Sequence, residues 1–229
     1  VKHEHVDSQL IEIWNKLRKD DKLAIFREAG ERAGLPATAV EKDWYVTLAL
    51  SIVFSTEFSE HLVFKGGTSL SKGWNLIERF SEDIDLAIDR KFLGFEGDMS
   101  KSQVERLRKT SCAFISNEFA KAISKKIDEI DISLTLNVPD FKASNTDPLS
   151  LELHYEPLTE NISYLQPRVL IEVGARSLME PSTEREIRSI VAENFTDREF
   201  ADKPQLIPTV LPKRTFLEKT FLLHEEFQK

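Results

Sequence analysis

Two stretches of this chain carry side chains whose types and spacing suit one piece of chemistry. The first is Phe64-Lys65-Gly66-Gly67-Thr68-Ser69-Leu70, and the second is Arg79-Phe80-Ser81-Glu82-Asp83-Ile84-Asp85-Leu86. Gly66 and Gly67 let the backbone approach an anion with no side chain in the way. A helix opening just after them would aim free N–H groups and its positive dipole end at that spot. Thr68, Ser69 and Ser81 add hydroxyls, and Lys65, Lys72 and Arg79 add countercharge. On its own, a Gly-Gly turn before a helix is more often an ordinary turn than a phosphate loop.

Asp83 to Asp89 alternates strictly, with Ile84, Leu86 and Ile88 on one side and Asp83, Asp85, Ala87 and Asp89 on the other. A strand with that pattern sends the Asp83 and Asp85 carboxylates out of one face. Two carboxylates so close repel unless a cation sits between them. Mg²⁺ or Mn²⁺ would suit, because hard cations take oxygen ligands and share them with substrate phosphates. The bland alternative is a polar strand face that meets water. Two-metal phosphoryl transfer needs a further carboxylate from another strand. Glu172 is the first candidate, on the face of its strand opposite Val169, Ile171 and Val173; Glu152 is the reserve. Lys219 borders an apolar stripe of the last helix, from which it could reach a triphosphate or simply extend its ammonium into water.

The elements that would position these groups follow from periodicity. The first sixty residues read as helices, the third opening on a capping box at Thr38-Ala39-Val40-Glu41 and running to Phe54. Five strands are expected: Leu62–Lys65, Asp83–Asp89, Ile130–Val138, Leu149–Tyr155 and Arg168–Ala175. A helix from Ser69 to Arg79 follows the glycine turn, and a long amphipathic helix spans Ser102 to Ile127. Residues 185–195 fit helix or strand, and Pro204, Pro208 and Pro212 mark an extended connector. The helix from Lys213 is apolar nearly all round (Phe216, Leu217, Phe221, Leu222, Leu223, Phe227), which predicts burial. The fold class is α+β: a mixed sheet of about five strands, helices packed on one side, and helical flanks. Residues 1–60 form the helical segment, 61–176 the core, and 177–229 a connector and helix.

Composition sets the background. The chain has 229 residues, is 41% apolar and carries a formal charge of −8. That charge argues against a large nucleic-acid footprint without excluding a local basic groove. No apolar run reaches the roughly 18 residues of a membrane span. One cysteine, Cys112, excludes an intrachain disulfide and fits a reducing cytoplasm.

The two central stretches resemble the AbiEii/AbiGii family of nucleotidyltransferase-like toxins. Val40-Glu41-Lys42-Asp43-Trp44-Tyr45-Val46 upstream agrees with it. So do Arg214-Thr215-Phe216-Leu217-Glu218-Lys219 and Leu223-His224-Glu225-Glu226 downstream. The resemblance implies a DNA polymerase β-like nucleotidyltransferase core. Gly66, Gly67 and Ser69 would hold the triphosphate of an NTP, and Asp83 and Asp85 the metal. Glu172 would fall near the family's later acidic strand position, and Lys219 matches its lysine motif. It also implies an antitoxin partner and an acceptor such as the end of an RNA, notably tRNA. The family's fourth motif should follow Lys219 and is absent before Lys229, so the active site is expected to be incomplete here. Two other functions remain open on the residues alone: a D-x-D nucleotide-sugar transferase, and a degenerate binding module of the same fold.

Overall fold

The computed structural model describes residues 6–77, 83–139, 146–160 and 165–227. Three helices come first: α1 (Ser8–Lys16), α2 (Lys19–Ala33) and α3 (Ala37–Phe54). Asp7 caps α1 through its carboxylate, which accepts from the Gln9 and Leu10 N–H groups at 3.1 Å. Gly34 closes α2 at φ +69°, a left-handed position that glycine takes at little cost. There follow β1 (Leu62–Lys65), the short helix α4 (Gly66–Lys72) and β2 (Asp83–Ile88). The long helix is α5 (Lys101–Phe114) joined to α6 (Ala120–Asp128) by a π-helical turn over Ile115–Phe119. The rest is β3 (Leu134–Asn137), β4 (Leu149–Tyr155), β5 (Arg168–Gly174), β6 (Ser182–Ile187), α7 (Ile190–Asn194), β7 (Gln205–Val210) and α8 (Pro212–Phe227).

The strands form one mixed sheet in the order β3-β4-β5-β2-β1-β7-β6. It has seven strands among the described residues, two more than the sequence reading gives. The additional pair is β6 and β7. Ser182–Ile187 is polar and exposed along most of its length, so it lacks the apolar alternation that marks a strand. Pro208 argued for a connector, yet β7 pairs antiparallel with β6, with Pro208 opposite Glu184.

Alternation divides the sheet into two faces. Ile84, Leu86 and Ile88 of β2, Val169, Ile171 and Val173 of β5, and Leu149, Leu151 and Leu153 of β4 are all buried in the main core with α3. Their neighbours on each strand face the other way. There Val63 and Ala87, in register on β1 and β2, join Val210 and Met179 in a small second cluster. Beyond that cluster the face turns polar, and the candidate site lies on it.

Three local expectations need correction. The capping box at Thr38 does not form. α3 opens at Pro36 without a side-chain cap, and Glu41 instead accepts from the Leu158 N–H at 2.7 Å, the Thr159 N–H at 3.0 Å and the Thr159 hydroxyl. The helix after the glycine turn starts three residues early and ends at Lys72; Asn75 takes a positive φ of 51°, which no helix tolerates. Finally, α8 is not enclosed: Phe216, Phe221 and Phe227 are 66–88% exposed, and Thr215 faces inward.

Candidate active site

Register builds the site. Lys65 on β1 lies opposite Asp85 on β2. Asp85 lies opposite Glu172 on β5, and Glu172 opposite Ser150 on β4. Four adjacent strands thus place Lys65, Asp85, Glu172 and Ser150 in one row across one face. Adjacent strands sit about 4.8 Å apart, so each side chain has the next as its neighbour. Asp83 projects from the same face of β2, one pleat along. The Ser150 hydroxyl donates to Glu172 Oε1 at 3.1 Å and fixes that carboxylate.

The acids interact. The Asp85 carboxyl is pushed up from 3.8 to about 6, first by burial, then by the neighbouring charges of Glu172 and Asp83; Lys65 and Lys219 pull it the other way. Lys219, on α8, is therefore within electrostatic reach of the row. Glu152, the reserve candidate, is engaged elsewhere. It pairs with Arg168 and with His154 Nε2 at 2.9 Å, and its register partner on β5 is Leu170 rather than Glu172.

Gly66 explains the glycine turn in steric terms. It takes φ +77°, and a Cβ there would lie 2.5 Å from Asp85 Cγ and 2.7 Å from Asp85 Cβ. The turn is pressed directly onto the carboxylate. Gly66→Ala should therefore combine a left-handed backbone penalty of about 1–2 kcal/mol with displacement of Asp85. The expected outcome is a lower melting temperature together with loss of activity, read by thermal denaturation and by turnover of the soluble variant.

The hydroxyls beside the turn face inward. Thr68 and Ser69 are buried; Thr68 donates to the Asp83 carbonyl, and Ser69 donates to the Gly66 carbonyl at 2.8 Å. In this arrangement Thr68 braces the turn against β2 and Ser69 closes the turn on itself, and either would have to give up that bond to donate to a phosphate. Lys72 is also committed, to Asp43 at 2.6 Å. Lys65 is held by the Ser177 hydroxyl at 2.9 Å and the Glu218 carboxylate at 3.5 Å. Arg79 and Ser81 lie outside the described residues. Ser150 and Ser177 carry no local signal in the sequence; Arg214 and Glu218 lie in the downstream stretch that carries the family resemblance, and their i,i+4 spacing is a further signal that they pair.

Among the described residues, no three His, Cys, Asp or Glu side chains are drawn together closely enough to enclose an ion. Mg²⁺ does not require that. It binds through one or two carboxylates and completes its shell with water and substrate phosphate. An all-oxygen set of acids in which burial, and then the neighbouring Glu172 and Asp83 charges, raise the Asp85 carboxyl to about 6 fits such a cation.

A mixed sheet presenting paired acids beside a glycine turn has the form of a nucleotidyltransferase core. The chain matches, over residues 50–229, the family described as nucleotidyl transferase AbiEii toxin of type IV toxin–antitoxin systems, and it belongs to that family. Among solved structures it is similar in fold to MenT4, a nucleotidyltransferase toxin from Mycobacterium tuberculosis H37Rv. The TM-score is 0.50 at 20% identity, covering 89% of this chain and 58% of that one. The chain thus spans somewhat over half the length of that relative. No curated protein matches it significantly. Among the described residues, no helix is long and apolar enough to cross a membrane.

Proposed function

We propose that the protein is a metal-dependent nucleotidyltransferase that transfers NMP from an NTP to a hydroxyl acceptor, with the end of an RNA, tRNA included, as the acceptor class. The observation that supports this most is the in-register row Lys65–Asp85–Glu172, with Asp83 beside it and Gly66 packed onto Asp85. Asp83, Asp85 and Glu172 would hold Mg²⁺ or Mn²⁺. When bound, the cation would neutralise phosphate charge and stabilise the attacking and leaving oxygens.

The chain's own groups have separable tasks. Lys65 and Lys219, both of which act electrostatically on Asp85, offer positive charge for the triphosphate. The Gly66–Gly67 backbone leaves room for it. The acceptor oxygen forms a bond to the α-phosphorus, the α–β bridging bond breaks, and pyrophosphate leaves. The hydroxyl proton passes to a carboxylate of the row, and Glu172, oriented by Ser150, is best placed to take it. Family membership supports a toxin role and a cognate antitoxin partner.

The test is to incubate the protein with each labelled NTP, Mg²⁺ and total RNA, then identify the labelled species. Label in discrete RNA bands, dependent on metal, is the expected result. Label in no RNA with any of the four nucleotides would remove the acceptor assignment. A related outcome concerns Glu172→Gln. It should lower turnover by roughly 10²- to 10³-fold while leaving the fold intact, as seen from unchanged circular dichroism.

A further inference from the structure

Glu218 is an unusual surface glutamate. One of its oxygens accepts from Arg214 Nε at 3.1 Å, within α8. The other lies 3.5 Å from Lys65 Nζ, on β1. Lys65 in turn donates to Ser177 Oγ at 2.9 Å, just beyond the end of β5. An i,i+4 Arg–Glu pair on a helix surface is common and contributes little. Here the carboxylate also collects a cation from a separate element, and the side chains of Lys65 and Glu218 are only 22% and 24% exposed. Two cations from separate elements therefore converge on one anion beside the acid row, and the Ser177 hydroxyl holds one of them, Lys65, in place.

We propose that Lys65, Ser177 and Arg214 form a phosphate-binding subsite and that the Glu218 carboxylate fills it in the free protein. An incoming phosphate group presents the same charge-assisted acceptors to the same donors. The Ser177 hydroxyl, which accepts from Lys65, keeps its own proton to donate. Glu218 would then be displaced, and it acts as a built-in competitor that sets nucleotide affinity. α8 can yield, because its Phe216, Leu217 and Phe221 side chains are exposed rather than locked into the core. The inference deepens the nucleotidyl-transfer reading by assigning the nucleotide's polyphosphate to these residues.

Binding of inorganic tripolyphosphate to the full chain, measured by calorimetry without metal, tests this independently of turnover. Glu218→Gln should bind about tenfold more tightly than the wild type, since it frees two charged donors. Arg214→Gln should bind about tenfold more weakly. Glu31→Gln, an exposed acid on α2, should change affinity less than twofold and controls for net charge. Glu218→Asp, too short to reach both cations, should lie between wild type and Glu218→Gln and decides the matter if Glu218→Gln does not fold. Unchanged or weaker binding by the folded Glu218 variant, or an equal gain in Glu31→Gln, overturns the subsite. If the Glu218 effect appears but no NTP is ever transferred, the subsite stands and the enzymatic reading fails. If transfer occurs and the Glu218 variant binds as the wild type does, the reverse holds.

Discussion

Asp85→Asn is expected to abolish nucleotidyl transfer and, at the same time, to raise the melting temperature of the metal-free protein. Asp85 sits between Lys65 and Glu172 in one sheet row, with Asp83 one pleat away. On the proposed function, removing its charge removes the central cation ligand, which should cost roughly three orders of magnitude in turnover. Stability moves the other way. The native carboxyl titrates near 6 against 3.8 in the unaltered group, so the folded chain binds this proton more tightly than the unfolded chain. Stability from this group is complete below the unfolded value and is lost as pH rises through about 6. At neutral pH the native charge therefore costs up to about 3 kcal/mol. Asn relieves it, and each kcal/mol is worth about 2–4 °C in a chain of this size. Calorimetric scans at pH 7.5 and pH 5 check the sign. The variant's advantage should be present at pH 7.5 and shrink at pH 5, where wild-type Asp85 is itself mostly protonated. Loss of activity with lower stability at pH 7.5 would mean that Asp85 is a structural acid rather than one held under repulsion.

The second large effect is expected far from the acids. Lys72, the last residue of α4, forms an ion pair with Asp43 of α3 at 2.6 Å, and both side chains are less than a tenth exposed. Lys72 also donates to the Arg188 carbonyl at 3.0 Å, while Asp43 accepts from the Ile190 N–H at 2.7 Å, where α7 begins. The pair ties α3, α4 and the β6–α7 turn together at the far end of the helix that starts with Gly66. Lys72→Met leaves the Asp43 charge buried with one donor, and should destabilise the fold by about 3–5 kcal/mol. Adding Asp43→Asn should recover a good part of that, because the amide still accepts from Ile190 without carrying a charge. Urea unfolding of the single and double variants measures the coupling directly. A loss below about 1 kcal/mol for Lys72→Met would mark the pair as solvent-screened.

How far the sequence went depends on where each residue's partner lies. β2 was legible because its alternation is local, and Asp85 and Asp83 share a face for the same reason. In the sequence Glu172 stands out from Glu152 by its place opposite Val169, Ile171 and Val173; that it lies directly beside Asp85 depends on the β2–β5 register, which no local pattern reports. By contrast, the capping-box pattern gives Glu41 a local partner in Thr38, yet Glu41, Lys42 and Asp43 are all buried and none finds its partner there. Glu41 meets Leu158 and Thr159, Lys42 donates to the Gln166 carbonyl, and Asp43 meets Lys72 and Ile190. Most of those partners lie more than 100 residues away in sequence, so no local pattern reports them. The same holds for Lys65, whose charge suggested a ligand contact and whose pairing with Glu218 depends on where α8 lands. The exposed face of α8 shows the opposite failure, in that an apolar pattern predicts burial without saying what would cover it.

Nucleotidyl transfer itself is tested most directly by position-specific labelling of the substrate. Wild type and Asp85→Asn would each be incubated with one NTP labelled at the α-phosphate and, separately, at the γ-phosphate, in Mg²⁺ and with total RNA. In the wild type, α-label should become acid-precipitable while γ-label is released as pyrophosphate, and Asp85→Asn should do neither. Transfer of the γ-label to the acceptor, or α-label incorporation that survives in Asp85→Asn, would contradict the assignment of this acid row to nucleotidyl transfer.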